Sequence, residues 1–178
     1  MGKTNFEKKF GNQTKSEETW IPVTETERMA IQGVIDRIDY LETEDTVLFR
    51  VIDYKTGHSE VNLDQVYYGL QLQLFLYLSA AKEILASDEN FRGKRLIPAG
   101  VYYYNMNDPV LENDFSEDDS EVGKKLFKEL RMKGITNYEE QVPEHTDHNL
   151  TRNEKSESDV IGFDYTAKGE VGRYSKTI

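Results

Sequence analysis

Between residues 29 and 41 the chain alternates between two sets of positions. Ile31, Gly33, Ile35, Arg37 and Asp39 fall on one side, and Gln32, Val34, Asp36, Ile38 and Tyr40 on the other. Period-two alternation predicts a β-strand, because successive side chains point to opposite faces. Glu42, Thr43, Glu44 and Asp45 read as a turn. A second strand follows at 46–54, with Val47, Leu48, Phe49, Val51 and Ile52 apolar on both faces. Burial on both faces marks a central strand. The polar quartet Thr56, Gly57, His58 and Ser59 ends it.

The strongest helical signal runs over 63–85, where Val66, Leu70, Leu74, Tyr77, Leu78 and Ala81 recur at helical spacing. Asn62 or Asp64 can cap its start. Leu72, Phe75 and Leu76 make it apolar nearly all round, which predicts a buried helix with Gln71 and Gln73 as exceptions needing partners. A third strand is expected at 95–105. An amphipathic helix is expected at 122–133, with Val122, Leu126, Phe127 and Leu130 as its stripe and Gly134 as its stop. These elements predict an α/β domain with a mixed central sheet flanked by helices.

The remaining stretches are less patterned. Residues 1–19 are polar and read as a poorly ordered lead-in. Trp20, Ile21, Pro22 and Val23 form an apolar cluster expected to cover a core edge. The segment 107–121, rich in Asp and Glu, reads as a solvated acidic loop. A short helical turn is expected at 137–142, and a loop at 150–159. Short edge strands are expected at 161–165 and 173–175, or a hairpin through Lys168 and Gly169. There is no internal repeat.

The length of 178 residues suits one domain. The absence of cysteine rules out disulfides, thiolate zinc sites and an iron–sulfur cluster held by this chain. His145 and His148 form an H-x-x-H pair without matching ligands nearby, and a solvated loop is the favoured reading. Met1, Gly2 and Lys3 lead into polar sequence rather than the apolar core of a signal peptide. The longest apolar stretch, 70–81, is interrupted and too short to span a bilayer. The expectation is therefore a soluble cytoplasmic protein. A net charge of −11 argues against an autonomous tight nucleic-acid binder, yet leaves room for a nuclease site whose acids hold metal.

The candidate chemistry sits where the first two strands end. Asp53 and Lys55 lie two apart and point the same way, while Tyr54 points the other. Antiparallel pairing of the two strands can bring Asp36 close to Asp53. Two carboxylates and an ammonium on one face suit a hard divalent cation with phosphate oxygens. Asp36 and Asp53 would be ligands, with the Tyr54 carbonyl as a third. Lys55 would orient or deprotonate water, or stabilise developing negative charge. Gln73 and Tyr77, four apart on the following helix, could hold Lys55 or a phosphate from the side. Taken singly, D-x-K on a strand is more often a surface ion pair and Tyr77 more often core. Arg37 and Asp39 read as structural or cross-strand ion pairs.

Gly33 to Asp36, then Asp53-Tyr54-Lys55, then Gln73 to Tyr77 resembles the RecB-like branch of the PD-(D/E)XK nuclease superfamily. The segments 67–74, 97–104 and 128–134 further resemble the C-terminal nuclease domain of AddB/RexB-type helicase–nuclease subunits. The resemblance covers about residue 29 to the C-terminus. It implies a restriction-endonuclease-like core and a Mg²⁺-dependent deoxyribonuclease, with Mn²⁺ as a substitute. Such an exonuclease cuts one DNA strand, expected to be single-stranded, during double-strand-break repair and recombination. Asp36 and Asp53 map to metal ligands, Lys55 to the catalytic lysine, and Gln73 and Tyr77 to the helix motif. An AddA/RexA-type partner subunit is implied, and no membrane.

Two departures stand out. The branch often has an upstream histidine or acid that helps hold the metal; no histidine precedes His58, leaving Glu25 or Glu27 as substitutes. Many AddB-type proteins carry four cluster-binding cysteines, and this chain has none. The abrupt ends point to a piece of a larger subunit. Two other readings remain: an inert nuclease-like module for DNA or subunit contacts, and a stand-alone restriction or repair nuclease.

Overall fold

A computed structural model describes residues 3–10, 19–22, 24–57, 59–107, 109, 119–139 and 141–177. The elements in chain order are β1 (Lys3–Phe10), β2 (Thr19–Pro22), β3 (Arg28–Ile31), β4 (Gly33–Glu42), β5 (Thr46–Lys55), α1 (Leu63–Tyr67) and α2 (Gln73–Ser87). A 3-10 turn (Glu89–Phe91), β6 (Arg95–Asn105), α3 (Asp119–Leu130), β7 (Lys133–Thr136), α4 (Val142–Thr146), β8 (Ser156–Glu157) and β9 (Asp164–Tyr165) follow. The main sheet has the order β1-β4-β5-β6-β7; β2 pairs with β3 and β8 with β9. The α/β architecture with a mixed sheet is as the hydropathy pattern predicts.

The chain forms two compact units, Met1–Asp53 with Asn62–Val101, and Tyr54–Val61 with Tyr102–Ile178. In the first, β4 and β5 make the expected hairpin, with Arg37 opposite Ile52 and Glu42 opposite Val47. Thr43 closes the turn: its amide donates to the Thr46 carbonyl at 2.9 Å, and the two hydroxyls lie 2.6 Å apart. β5 lies between β4 and β6, and Val47, Leu48, Phe49, Val51 and Ile52 are all buried, which is why it is apolar on both faces. The Arg95 amide bonds to the Asp45 carbonyl, and the Met106 amide to the Lys55 carbonyl. β6 therefore runs parallel to β5, and α1 and α2 form the crossover between them.

In this unit the structure departs from the sequence pattern at several places. Residues 3–10 are not a lead-in: they form β1, antiparallel to β4. A polar edge strand rich in lysine has no apolar alternation to reveal it. The strand expected at 29–41 is two strands in different sheets, β3 and β4, because the alternation carries straight across the break at Gln32. The helix expected at 63–85 is broken in two. Gly69 takes φ +75° after α1, and α2 begins only at Gln73. The corner is not buried, since Tyr67, Tyr68 and Leu70 are exposed. Asn62 is the cap, accepting from the Gln65 amide, and Gln71 finds its partner in the Asn62 amide at 2.7 Å. Val23 and the side chains of residues 20–22 lie outside the described set.

In the second unit, Tyr102, Ile135, Val142, Leu150, Ile161, Phe163 and Tyr165 form the core. The Tyr102 hydroxyl meets Thr136 Oγ1 at 2.9 Å. α3 ends at Leu130, and Gly134 lies inside β7 rather than stopping a helix. The helical turn expected at 137–142 is displaced to α4. β8 lies within the expected loop 150–159, and pairs with β9. The turn through Lys168 and Gly169 exists, returning the chain so that Val171 bridges Tyr165; Arg173, Tyr174 and Ser175 form no strand. Of the acidic segment, residues 119–121 open α3, while 108 and 110–118 lie outside the described residues, as does His58. His145 and His148 are not buried, and His145 lies within α4 rather than a loop. No described helix is long and apolar enough to cross a membrane.

Candidate active site

Asp53 closes the buried run of β5 and is itself only 3% exposed. Carboxylates are rarely buried unless a cation or hydrogen bonds compensate the lost hydration. Asp36 lies half-buried on β4. The β4–β5 pairing reaches Arg37 opposite Ile52; carried one residue further along both strands, it sets Asp36 across from Asp53. Residues directly opposite in an antiparallel pair share a face, with Cβ atoms about 4.5–5.5 Å apart. The same register is visible in side-chain contact three residues along, where Arg50 Nη2 lies 2.9 Å from Asp39 Oδ2. Asp39 also takes two bonds from Arg37, at 2.7 and 2.9 Å. Arg37 and Asp39 are thus structural and cross-strand ion pairs, as expected.

The α2 helix begins at the end of the sheet that carries the acids. Because β5 and β6 are parallel, the helix joining them returns against β5, so its start lies at the Asp53 end. The far end agrees: Tyr40, on the same face of β4 as Asp36, packs edge-on against Phe91 just beyond α2, with centroids 5.1 Å apart. Gln73 is the first residue of α2, and its Nε2 donates to the Tyr77 hydroxyl at 2.9 Å. The i, i+4 pair expected from the sequence is therefore formed.

Lys55 follows Asp53 by two positions on β5. Its Nζ stands 5.4 Å from the centroid of the Tyr103 ring, a cation–π arrangement that holds the ammonium side chain. Tyr54 points the other way and meets Tyr104 edge-on at 5.9 Å. The pattern along the chain does not announce Tyr103 as a neighbour of Lys55. The only hint is the run Tyr102-Tyr103-Tyr104, and its use depends on the parallel pairing of β5 with β6. Glu25 and Glu27 are exposed, and Glu27 accepts from the Thr24 hydroxyl at 3.4 Å.

The donor set is all oxygen. Among the described residues no group of three or more acidic or histidine side chains gathers. Two carboxylates suit Mg²⁺ or Mn²⁺, which keep several waters and take one or two protein carboxylates. They do not fit zinc, which prefers nitrogen and sulfur.

A family model described as the PD-(D/E)XK nuclease superfamily matches residues 3–162. The chain belongs to the PD-(D/E)XK nuclease superfamily. Its sequence is 34% identical over 174 residues to a subunit of an ATP-dependent helicase/deoxyribonuclease from Clostridioides difficile, covering 98% of this chain and 15% of that protein. The same subunit from Clostridium novyi is 35% identical over 166 residues, 93% of this chain and 14% of its own length. That of Acetivibrio thermocellus is 38% identical over 130 residues, 73% of this chain and 11% of its own length. This chain therefore spans a small part of the curated relatives it matches. The hairpin, the crossover helix and β6 all lie within the stretch that matches the superfamily.

Proposed function

We propose that this chain is the nuclease module of an ATP-dependent helicase–nuclease subunit, hydrolysing phosphodiester bonds of single-stranded DNA with Mg²⁺. The observation that carries the reading is the buried Asp53 at the end of a central strand, in a hairpin register that, carried one residue past Arg37 and Ile52, brings Asp36 opposite it. Membership of a nuclease superfamily supports it, and so does the relatives' name, which makes them subunits of a helicase/deoxyribonuclease. An AddA/RexA-type subunit is the partner in this reading.

Asp36 and Asp53, with the Tyr54 carbonyl, would hold the cation. A divalent ion bound there would supply a water of lowered pKa and positive charge beside the phosphate. Lys55 either orients or deprotonates the attacking water, or offsets negative charge as the phosphorus gains its fifth oxygen. Tyr103 steadies the lysine stem, so that less rotamer freedom is lost when the ammonium engages. Gln73 and Tyr77, already bonded to each other, hold a phosphate from the side.

The test uses a labelled single-stranded oligonucleotide, with and without Mg²⁺ or Mn²⁺, and the variants Asp53→Ala and Lys55→Ala. Cleavage is expected only with metal, and is expected to fall by about a hundredfold or more in each variant. Cleavage that survives chelation, or that both variants retain, sinks the proposal.

A further inference from the structure

Tyr67 and Tyr68 lie 85% and 74% exposed at the corner between α1 and α2. We propose that they form a stacking platform for unpaired nucleobases of the DNA strand, an inference that rests on the nuclease reading above. The rigidity of the corner, the geometry of the rings and the place of the corner in the chain point to this occupant.

The corner is braced rather than loose. Gly69 turns the chain with φ +75°, its amide donates to the Val66 carbonyl at 3.0 Å, and the Leu70 amide donates to the Gln65 carbonyl at 2.8 Å. Asn62 ties both ends together: its side chain accepts from the Gln65 amide, and its own amide donates to Gln71 Oε1. The rings stand edge-to-face, with centroids 5.3 Å apart and planes at 82°. Aromatic rings held this way while open to water present contact area at little entropic cost.

The corner also leads directly into Gln73 and Tyr77, which lie in the same unit as Asp36 and Asp53. In a chain of net charge −11, the stretch from Gln65 to Ala81 carries no charge, and the carboxylate nearest in sequence to the rings is the exposed Asp64 one turn earlier on α1. Stacking needs no countercharge, because every base has a π-face. Leu70, just past the turn at Gly69, is exposed as well. Stacking on the tyrosines would also make the site select single strands, since paired bases already have their faces covered by one another.

The test measures binding in the Asp53→Ala background, where the strand is not cut. The probes are a labelled single-stranded oligonucleotide, the same length of abasic strand, and the corresponding duplex. Tyr67→Ala with Tyr68→Ala is expected to weaken binding of the normal single strand about tenfold, equivalent to ~1.4 kcal/mol. Binding of the abasic strand and of the duplex should change little. Tyr→Phe or Tyr→Trp at both positions should restore the normal strand. With Asp53 intact and the strand being cut, the Ala pair should raise KM for single strands with kcat nearly unchanged. An equal loss on the abasic strand, failure of Phe or Trp to rescue, or undiminished single-strand binding overturns the platform while leaving the nuclease reading intact. That last result is expected if the tyrosines serve only to dock protein. Absence of DNA binding in every form, including the starting Asp53→Ala chain, overturns both.

Discussion

Asp39 and Arg50 meet across β4 and β5 with 2.9 Å between Oδ2 and Nη2, and the register they share is the one that sets Asp36 across from Asp53. Arg37 binds the other side of the same carboxylate. Three part-buried charges thus bind the two strands close to the acids proposed to hold metal. Asp39→Ala leaves two guanidinium groups without this carboxylate. Such pairs, less screened than surface ones and less costly than deeply buried ones, lose about 1–3 kcal/mol when broken. Urea unfolding should show that loss. Metal affinity should fall as well, because the hairpin that carries both acids is loosened.

Asp53 gives the second prediction. A ligand that binds only the folded chain stabilises it by an amount fixed by its concentration over Kd, roughly 2.7 kcal/mol at a hundredfold excess. Mg²⁺ or Mn²⁺ should therefore raise the melting temperature of the native chain. Asp53→Asn, which keeps size and removes charge, should abolish the metal-dependent rise. Lys55→Ala should keep it, since the ammonium is assigned to water or phosphate rather than to the ion. Calorimetric scans with and without metal separate these roles independently of cleavage. An equal rise in Asp53→Asn would remove that carboxylate from the ligand set.

How far these features can be read in the chain depends on the range of the interaction that creates them. The hairpin is legible because a short polar turn between two apolar runs sets their register locally. The division of the long helix is not. Apolar residues continue on both sides of Gly69, and a lone glycine within a helix costs only about 1 kcal/mol. The Gln71–Asn62 bond and the left-handed glycine decide it. β1 is hidden for a different reason. Its partner β4 lies about thirty residues away, and an edge strand needs few apolar residues. Tyr103 beside Lys55 depends on a parallel pairing that reaches across two intervening helices, which no local pattern announces.

The second unit has its own acid-sensitive anchor in Asp147, only 8% exposed. Burial pushes its carboxyl pKa up, but hydrogen bonds outweigh burial and hold it below the usual carboxylate value of 3.8. The Asn149 amide donates at 3.0 Å, the Ser158 hydroxyl at 2.7 Å and the Asp159 amide at 2.8 Å. A carboxylate whose folded pKa is depressed contributes stability that is complete above its unfolded value. That stability is lost as pH falls through the lower folded value. The native chain should therefore lose stability below about pH 4, and Asp147→Asn should flatten that part of the curve. At neutral pH the same variant should cost about 1–3 kcal/mol, because its amide group cannot accept at both atoms. Thermal melts across the acid range check both statements.

Gly169 supplies a prediction about backbone space. It sits at φ +75° in the turn that carries the chain from Tyr165 back to Val171, and its amide bonds to the Thr166 carbonyl at 2.9 Å. A Cβ at this position would stand 2.2 Å from the Arg152 carbonyl oxygen, so the substituted turn must move or Arg152 must. Arg152 is not free to yield. Its Nη2 donates to the Tyr138 carbonyl at 2.7 Å, its Nε lies 3.4 Å from Glu144, and its guanidinium stands over the Tyr165 ring at 5.9 Å. Gly169→Ala therefore combines left-handed strain of about 1–2 kcal/mol with a clash against fixed backbone. The expected result is a lower melting temperature and faster proteolysis within 150–177, with β4, β5 and α2 still protected from hydrogen exchange. Gly93→Ala is the control: that glycine also has positive φ, +82°, but a Cβ there meets nothing within 4 Å. It should show the conformational cost alone, and equal destabilisation by the two substitutions would mean that the Arg152 carbonyl is not what confines the turn.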